Sequence, residues 1–245
     1  EPPTEDAFKF GSAMSGNLQI ERGDRAYVRD YVNESDQEAI LESIRDAARR
    51  SDVVIATLHT HEGENENWYA TYAPKFVEEF ARKTIDAGAT CFIGQGAHFP
   101  RGVEVYKGCP IFYNLGSLLM EFESGESMIS PEMYETYHLG PYAHPSDLHS
   151  NRARTPDGSW NGFYSERRFS TNFLVVLDID EEGASYEIVP LDLDMHREDN
   201  LKRGLPEVST PEEGKKFADY LAHASERYGV AFAYCEETGA ISFDA

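Results

Sequence analysis

Only three cysteines, Cys91, Cys109 and Cys235, occur in 245 residues, too few for a disulfide framework and at a spacing that matches no zinc knuckle. Cys91 and Cys109 sit in or beside apolar runs, where a thiol packs as a small hydrophobe. Positive charge is the second scarcity: 22 lysines and arginines stand against 44 aspartates and glutamates, a net charge of −22. That excess repels nucleic acid and anionic lipid surfaces, so neither is expected as a partner. No apolar run approaches the ~20 residues of a membrane span. The opening Glu1-Pro2-Pro3 has neither the basic nor the apolar region of a secretion signal, and the compartment stays open between cytoplasm and cell surface. A P-loop, a complete dinucleotide fingerprint and a Gly-x-Ser-x-Gly elbow are all missing, which disfavours nucleotide phosphoryl transfer and serine hydrolysis.

What is present suffices for a core. Hydrophobic residues make up 40% and aromatics 12% of the chain, and the length allows one large domain or two small ones. Residues 1–34 read as an irregular opening segment, with at most a short strand over Arg25 to Val32. From Ser35, with Glu38 as its capping-box partner, Ile40, Leu41, Ile44, Ala47 and Ala48 recur at helical spacing to about Arg50. The run Asp52 to Leu58 suits a strand buried on both faces, and His59 falls at its end. Pro74 to Gly88 predicts a second helix, Thr90 to Ile93 a second strand leading into Gly94-Gln95-Gly96-Ala97-His98, and Ile111 to Leu115 a third. Strand, helix, strand with short connections predicts a parallel α/β sheet, whose ligands gather beyond the carboxyl ends of the strands. His59, His61, His98 and Asn114 are thereby directed to one edge.

Residues 121–168 lose periodicity while prolines, histidines and the arginines Arg152, Arg154, Arg167 and Arg168 accumulate, the composition of a long functional loop. Order returns as a hairpin over Phe173 to Ile179 and Ser185 to Leu191, turning at 180–183. A helix capped by Thr210 follows, then a last hairpin over Val230 to Cys235 and Ala240 to Phe243.

The sharpest local signal is His59-Thr60-His61-Glu62, because alternate positions leaving a strand end bring imidazoles together beside a carboxylate. Metal binding and proton transfer are both open to such a set, as is an ordinary hydrogen-bonded surface pair. His98 gains weight from the Gly-x-Gly turn before it, where glycine lets backbone approach a ligand. The four arginines suit either a clamp on a phosphate or carboxylate substrate or neutralisation of the acidic surface.

These segments, from Ser51 to Glu62, Ala81 to Ala89, Gly94 to His98 and Gly102 to Gly116, resemble in order and spacing the CapA family of poly-γ-glutamate synthesis proteins, relatives of the calcineurin-like metallophosphoesterases. Arg203-Gly204-Leu205-Pro206 and Tyr228-Gly229 extend the likeness, so residues 35–245 are expected to form a CapA-like domain. The resemblance implies the C-terminal half of a four-layer α/β/β/α sandwich. It also implies a divalent metal centre (Mn, Mg, Fe or Zn) with His59 and His98 at metal-binding positions. Gln95 stands where relatives commonly carry histidine, and Asn114-Leu115-Gly116-Ser117-Leu118 replaces the usual Ser-Leu-Gly-Asn-Phe, so one metal site is expected to be weakened or lost. The first aspartate and the Asn/Asp-His motifs of the family are not found before residue 52, which implies either the C-terminal half of a split or cleaved protein, its missing N-terminal half supplied by a partner chain that completes the sheet, or the loss of half a metal centre. The implied activity is metal-dependent hydrolysis of a phosphate ester or of an amide in a polymer or peptide. In it His61 and Glu62 move protons, His59, His98 and Gln95 hold metal, and Asn114 with Arg152, Arg154, Arg167 and Arg168 holds substrate. The alternatives are a noncatalytic accessory module in anionic-polymer synthesis or export, and metal-independent acid/base work on a peptide.

Overall fold

The computed structural model describes residues 7–10, 18–25, 27–28, 30–120, 129–179, 184–197, 199 and 202–244. They fall into two units, residues 1–31 and 32–245. In the first, β1 (Ala7–Phe10) pairs antiparallel with β2 (Leu18–Glu21). The strand expected over Arg25 to Val32 does not form among its described residues.

The second unit opens with α1 (Glu34–Ala48). Its cap is Asn33, not Ser35: the Asn33 Oδ1 accepts the Ser35 and Asp36 N–H groups at 3.1 and 3.3 Å, and the Ser35 hydroxyl donates to the same oxygen at 2.9 Å. Asparagine two residues earlier satisfies two orphan amides at once, and Glu34 and Asp36 then meet the positive end of the helix dipole. β3 (Ile55–His59), α2 (Lys75–Asp86) and β4 (Cys91–Gln95) follow. A hairpin of β5 (Val103–Tyr106) and β6 (Cys109–Phe112) completes the first sheet, in the order β3-β4-β6-β5. β3, β4 and β6 are parallel, and β5 runs against β6. β3 is a sheet edge among the described residues. It is also not buried on both faces as its apolar run suggests, because Ala56 is buried while Ile55, Thr57 and His59 are exposed, Ile55 to 47%.

The long loop is less irregular than its composition suggests, because it contains α3 (Pro131–Thr136) and α4 (Pro145–Ala153). Its residues 121–128, like the expected turn at 180–183, lie outside the described ones. β7 (Thr171–Ile179) and β8 (Ala184–Asp192) form a nine-residue ladder. β9 (Glu207–Val208), α5 (Pro211–Ala224), β10 (Phe232–Tyr234) and β11 (Ile241–Phe243) close the chain. The second sheet has the order β10-β11-β8-β7, with β9 also on β8. As the sequence predicts, the Thr210 hydroxyl accepts the Glu213 N–H at the head of α5.

Apart from the outer strand β3, the first sheet is covered on both faces. Val77, Ala81 and Ile85 of α2 pack on Ala56, Phe92 and Ile111, while Cys91, Val103 and Phe112 of the opposite face meet Phe173, Ile188 and Ile241 of the second sheet and Phe217 and Leu221 of α5. Each valine, leucine, isoleucine or phenylalanine among them contributes roughly 1.5–3 kcal/mol by area. This α/β core leaves the carboxyl ends of β3, β4 and β6 free to carry other residues. All three cysteines are free, and burial pushes the Cys91 thiol up to about 12.

Candidate functional site

Parallel pairing aligns His59 of β3 with Gln95 of β4, and the Thr60 N–H donates to the Gln95 carbonyl at 2.9 Å just past both strands. Gly96 makes the next approach possible. Its φ is +110°, and a Cβ there would stand 2.5 Å from the Thr60 oxygen and 2.9 Å from Cδ2 of His61. The chain then turns through His98, itself left-handed at φ 65°, which swings its ring back over the strand ends.

The three imidazoles meet. The Nε2 atoms of His59 and His61 are 3.1 Å apart, and ring centroids are separated by 5.2 Å for His59 and His61 and 5.8 Å for His61 and His98. His98 Nδ1 bonds the Ser117 hydroxyl at 2.9 Å, so residues following β6 also reach the cluster. Burial, and then the neighbouring His61 and His59, hold His98 below the ordinary imidazole range. This environment favours the uncharged form of His98, with one nitrogen committed to Ser117.

An aromatic wall stands beside His98, formed by Phe163 at 5.0 Å and Trp68 at 6.4 Å between centroids. The Trp68 indole N–H donates to the Ala97 carbonyl at 3.1 Å. Asn114 is 1% exposed. Its Oδ1 accepts the Gly116 N–H at 2.9 Å, while its Nδ2 has no partner. Asn172 Oδ1 accepts the Ser117 N–H at 3.0 Å. Glu62 is exposed, and what the structure uses is its backbone oxygen, which accepts from Arg101 at 2.8 Å.

The arginines of the later loop divide. Arg154 lies 3.4 Å above the Trp160 ring and donates to the Gly158 carbonyl. Arg167 is spent on Asp192 and Glu213, at 3.0 and 2.5 Å. Arg168 pairs with Glu166 at 2.8 Å, donates to the Tyr69 carbonyl and stacks over Tyr69 and Phe99, which places it behind the aromatic wall. Arg152 belongs to α4, but its side chain lies outside the described ones. Sequence reasoning gave no role to Trp68, Arg101, Ser117, Phe163 or Asn172. Ser117 and Trp68 had a signal in their nearness to the histidine segments, whereas Phe163 and Asn172 are remote in sequence and had none.

Two nitrogens bound cis to one zinc-sized ion at about 2.0–2.1 Å stand roughly 3 Å apart, and the 3.1 Å between His59 and His61 Nε2 matches that spacing as well as it matches a hydrogen bond. Among the described residues no three of His, Cys, Asp and Glu gather so as to hold an ion. The rim supplies a pair of donors, with the Gln95 amide on the neighbouring strand end, and not a full coordination shell.

The pattern of the family described as bacterial capsule synthesis protein PGA_cap matches residues 10–121. An uncharacterized protein of Sinorhizobium fredii, y4sH, is 27% identical over 216 residues, 86% of this chain and 45% of its own length. A probable polyglutamine synthesis accessory protein of Mycobacterium tuberculosis is 30% identical over 96 residues, 39% of this chain and 24% of that one. The PGA biosynthesis protein CapA of Bacillus subtilis is 30% identical over 105 residues, 43% of this chain and 26% of that one. The chain thus spans less than half the length of these relatives.

Proposed function

Residues 10–121 belong to the CapA family of bacterial capsule synthesis proteins, and from that premise we propose that this chain is an accessory protein in the synthesis of an anionic polyamide of the poly-γ-glutamate kind. It handles the polymer at the rim where His59, His61 and His98 meet. The observation that carries the reading is the 3.1 Å approach of two imidazole Nε2 atoms at the carboxyl ends of parallel strands. When both rings are neutral, one must donate and the other accept, so the pair shares a single proton between facing nitrogens. Such a pair gives a proton to, or takes one from, an amide or carboxylate placed against it. His61 is the middle ring, with the exposed Glu62 next in sequence. Trp68 and Phe163, perpendicular to each other at 5.9 Å between centroids, offer an apolar corner for the polymer's methylene segments.

A protein of net charge −22 repels a polyanion. Binding at this rim is therefore expected to strengthen as salt screens the surface or as a divalent cation bridges carboxylates to it. Calorimetric titration with γ-linked glutamate oligomers tests the reading. His61→Ala should weaken binding about tenfold or more, the loss expected for a charge-assisted contact, and equal affinity in wild type and variant would end it.

A second reading is favoured by the same 3.1 Å distance, which suits two cis ligands of one metal ion. In it the chain is part of a metal-dependent hydrolase acting on a phosphate ester or amide. The remaining donors, and the layers that would complete a four-layer sandwich, come from outside the described residues, on the same longer polypeptide or a partner chain. Release of phosphate or of shortened oligomers that requires added Mn²⁺ or Zn²⁺ and disappears in His59→Ala would favour this second reading over the first.

A further inference from the structure

We propose that Arg101 is the positioning residue of the histidine rim: from inside the fold its guanidinium holds the backbone of Glu62 and Trp68, and so fixes the two ends of the segment that frames the imidazoles. The inference rests on the rim being the working site. Arg101 is 1% exposed, the largest side chain buried to that degree among the described residues. Buried guanidinium groups are ordinarily matched by carboxylates, because an unmatched charge in a low-dielectric interior is costly. Among the described residues this one is matched by none. It donates from Nη1 to the Glu62 carbonyl at 2.8 Å and from Nη2 to the Trp68 carbonyl at 3.1 Å, and its Nε has no partner. The Phe99 ring lies 5.5 Å from its central carbon.

The segment it holds is built around it. Asn65 and Glu66 are left-handed, at φ 57° and 59°, and a Cβ on Gly63 would collide with the Asn67 carbonyl and stand 3.1 Å from the Arg101 Nη2. One end of the segment follows His61 directly. The other presents Trp68 to the Ala97 carbonyl and edge-on to His98. Arg101 touches no imidazole, so it acts on the rings through these two residues. It also brings one positive charge beneath the rim of a strongly acidic protein. Burial lowers its pKa to about 10, which leaves it protonated at neutral pH.

Fluorotryptophan labelling tests this directly, because the chain has two tryptophans and Trp160→Phe assigns their fluorine resonances. In Arg101→Met, which keeps an apolar stem of similar length, the Trp68 signal should shift and broaden while Trp160 stays in place. Arg101→Lys should fall between, since an ammonium keeps the charge but not the two-pronged grip. In Arg101→Ala, millimolar guanidinium should restore the Trp68 signal, and urea at the same concentration should not. Oligomer affinity should drop about tenfold in Arg101→Met. An unmoved Trp68 signal in Arg101→Met would overturn the proposal, as would both tryptophan signals moving together or urea rescuing as well as guanidinium. If the wild-type chain binds no oligomer at all, the functional reading fails, and the fluorine spectra still decide the role of Arg101.

Discussion

Replacing Gly96 by alanine measures the closest approach in the rim. Gly96 has φ +110°, and the new methyl would meet the Thr60 oxygen at 2.5 Å, the Thr60 carbonyl carbon at 2.8 Å and His61 Cδ2 at 2.9 Å. Two costs add. An L-residue held left of the usual region costs roughly 1–2 kcal/mol, and overpacking against neighbours that cannot swing aside costs about 1–3 kcal/mol more. Thr60 is unable to retreat cheaply, because its N–H is bound to the Gln95 carbonyl at 2.9 Å. The expected total is ~2–5 kcal/mol. Gly108 provides the control, since its φ is +78° but nothing lies within 4 Å of its Cβ position, so Gly108→Ala should cost only the backbone share. With a urea slope of about 2–3 kcal/mol/M, the unfolding midpoint should fall by about 1–2 M for Gly96→Ala and by about 0.5 M for Gly108→Ala, followed by circular dichroism. Equal midpoints for the two variants would refute the contact between the rim loops and, with it, the placement of His61.

Two further outcomes follow from the same structure. Glu104 takes two bonds from Arg82, at 2.8 and 3.0 Å, and one from the Tyr113 hydroxyl at 2.5 Å. Glu104→Gln should therefore lose ~2–4 kcal/mol and Tyr113→Phe ~1 kcal/mol, and the double variant should lose less than the sum; strict additivity in urea melts would count against a shared network. His98 is held below its ordinary pKa in the fold by burial and then by His61 and His59, so between that lowered value and the unfolded value of about 6.5 the unfolded chain binds more protons. Stability from this group is complete above the unfolded pKa and declines as pH falls through it. His98→Asn, which tolerates the left-handed backbone, should flatten the pH dependence of the thermal midpoint relative to wild type, and an unchanged slope would remove His98 from the account.

Much of this arrangement is legible in the sequence because its strands end where their apolar runs end. The runs into His59 and Gln95 fix the two adjacent strand termini, and Thr210, Pro211 and Glu213 mark the head of α5. Of the β5–β6 hairpin the sequence shows only the second strand, expected over Ile111 to Leu115 and found at Cys109–Phe112; β5 and the start of β6 escaped notice because Pro110 lies inside β6, opposite Val105, and a strand containing proline reads as broken. The edge position of β3 could not be read either, since a continuous apolar run says how oily a strand is and not how many neighbours it has. Arg101 was passed over because its partners, Glu62 and Trp68, lie 39 and 33 residues away. Arg167 is the converse case. Its residue type suggests a substrate clamp, while its carboxylate partners Asp192 and Glu213 come from β8 and α5.

Among the described residues no strand pairs with the outer flank of β3, where Ile55 is turned to water, and this has a consequence at the bench. Where no other segment covers it, such a row of peptide N–H and C=O groups invites a second molecule to line up alongside and extend the ladder. At neutral pH the charge of −22 keeps such molecules apart. Bringing a concentrated solution towards the isoelectric point near 4.6 removes that restraint, so turbidity on acidification should begin at this flank, and a lysine in place of Ile55 should delay it.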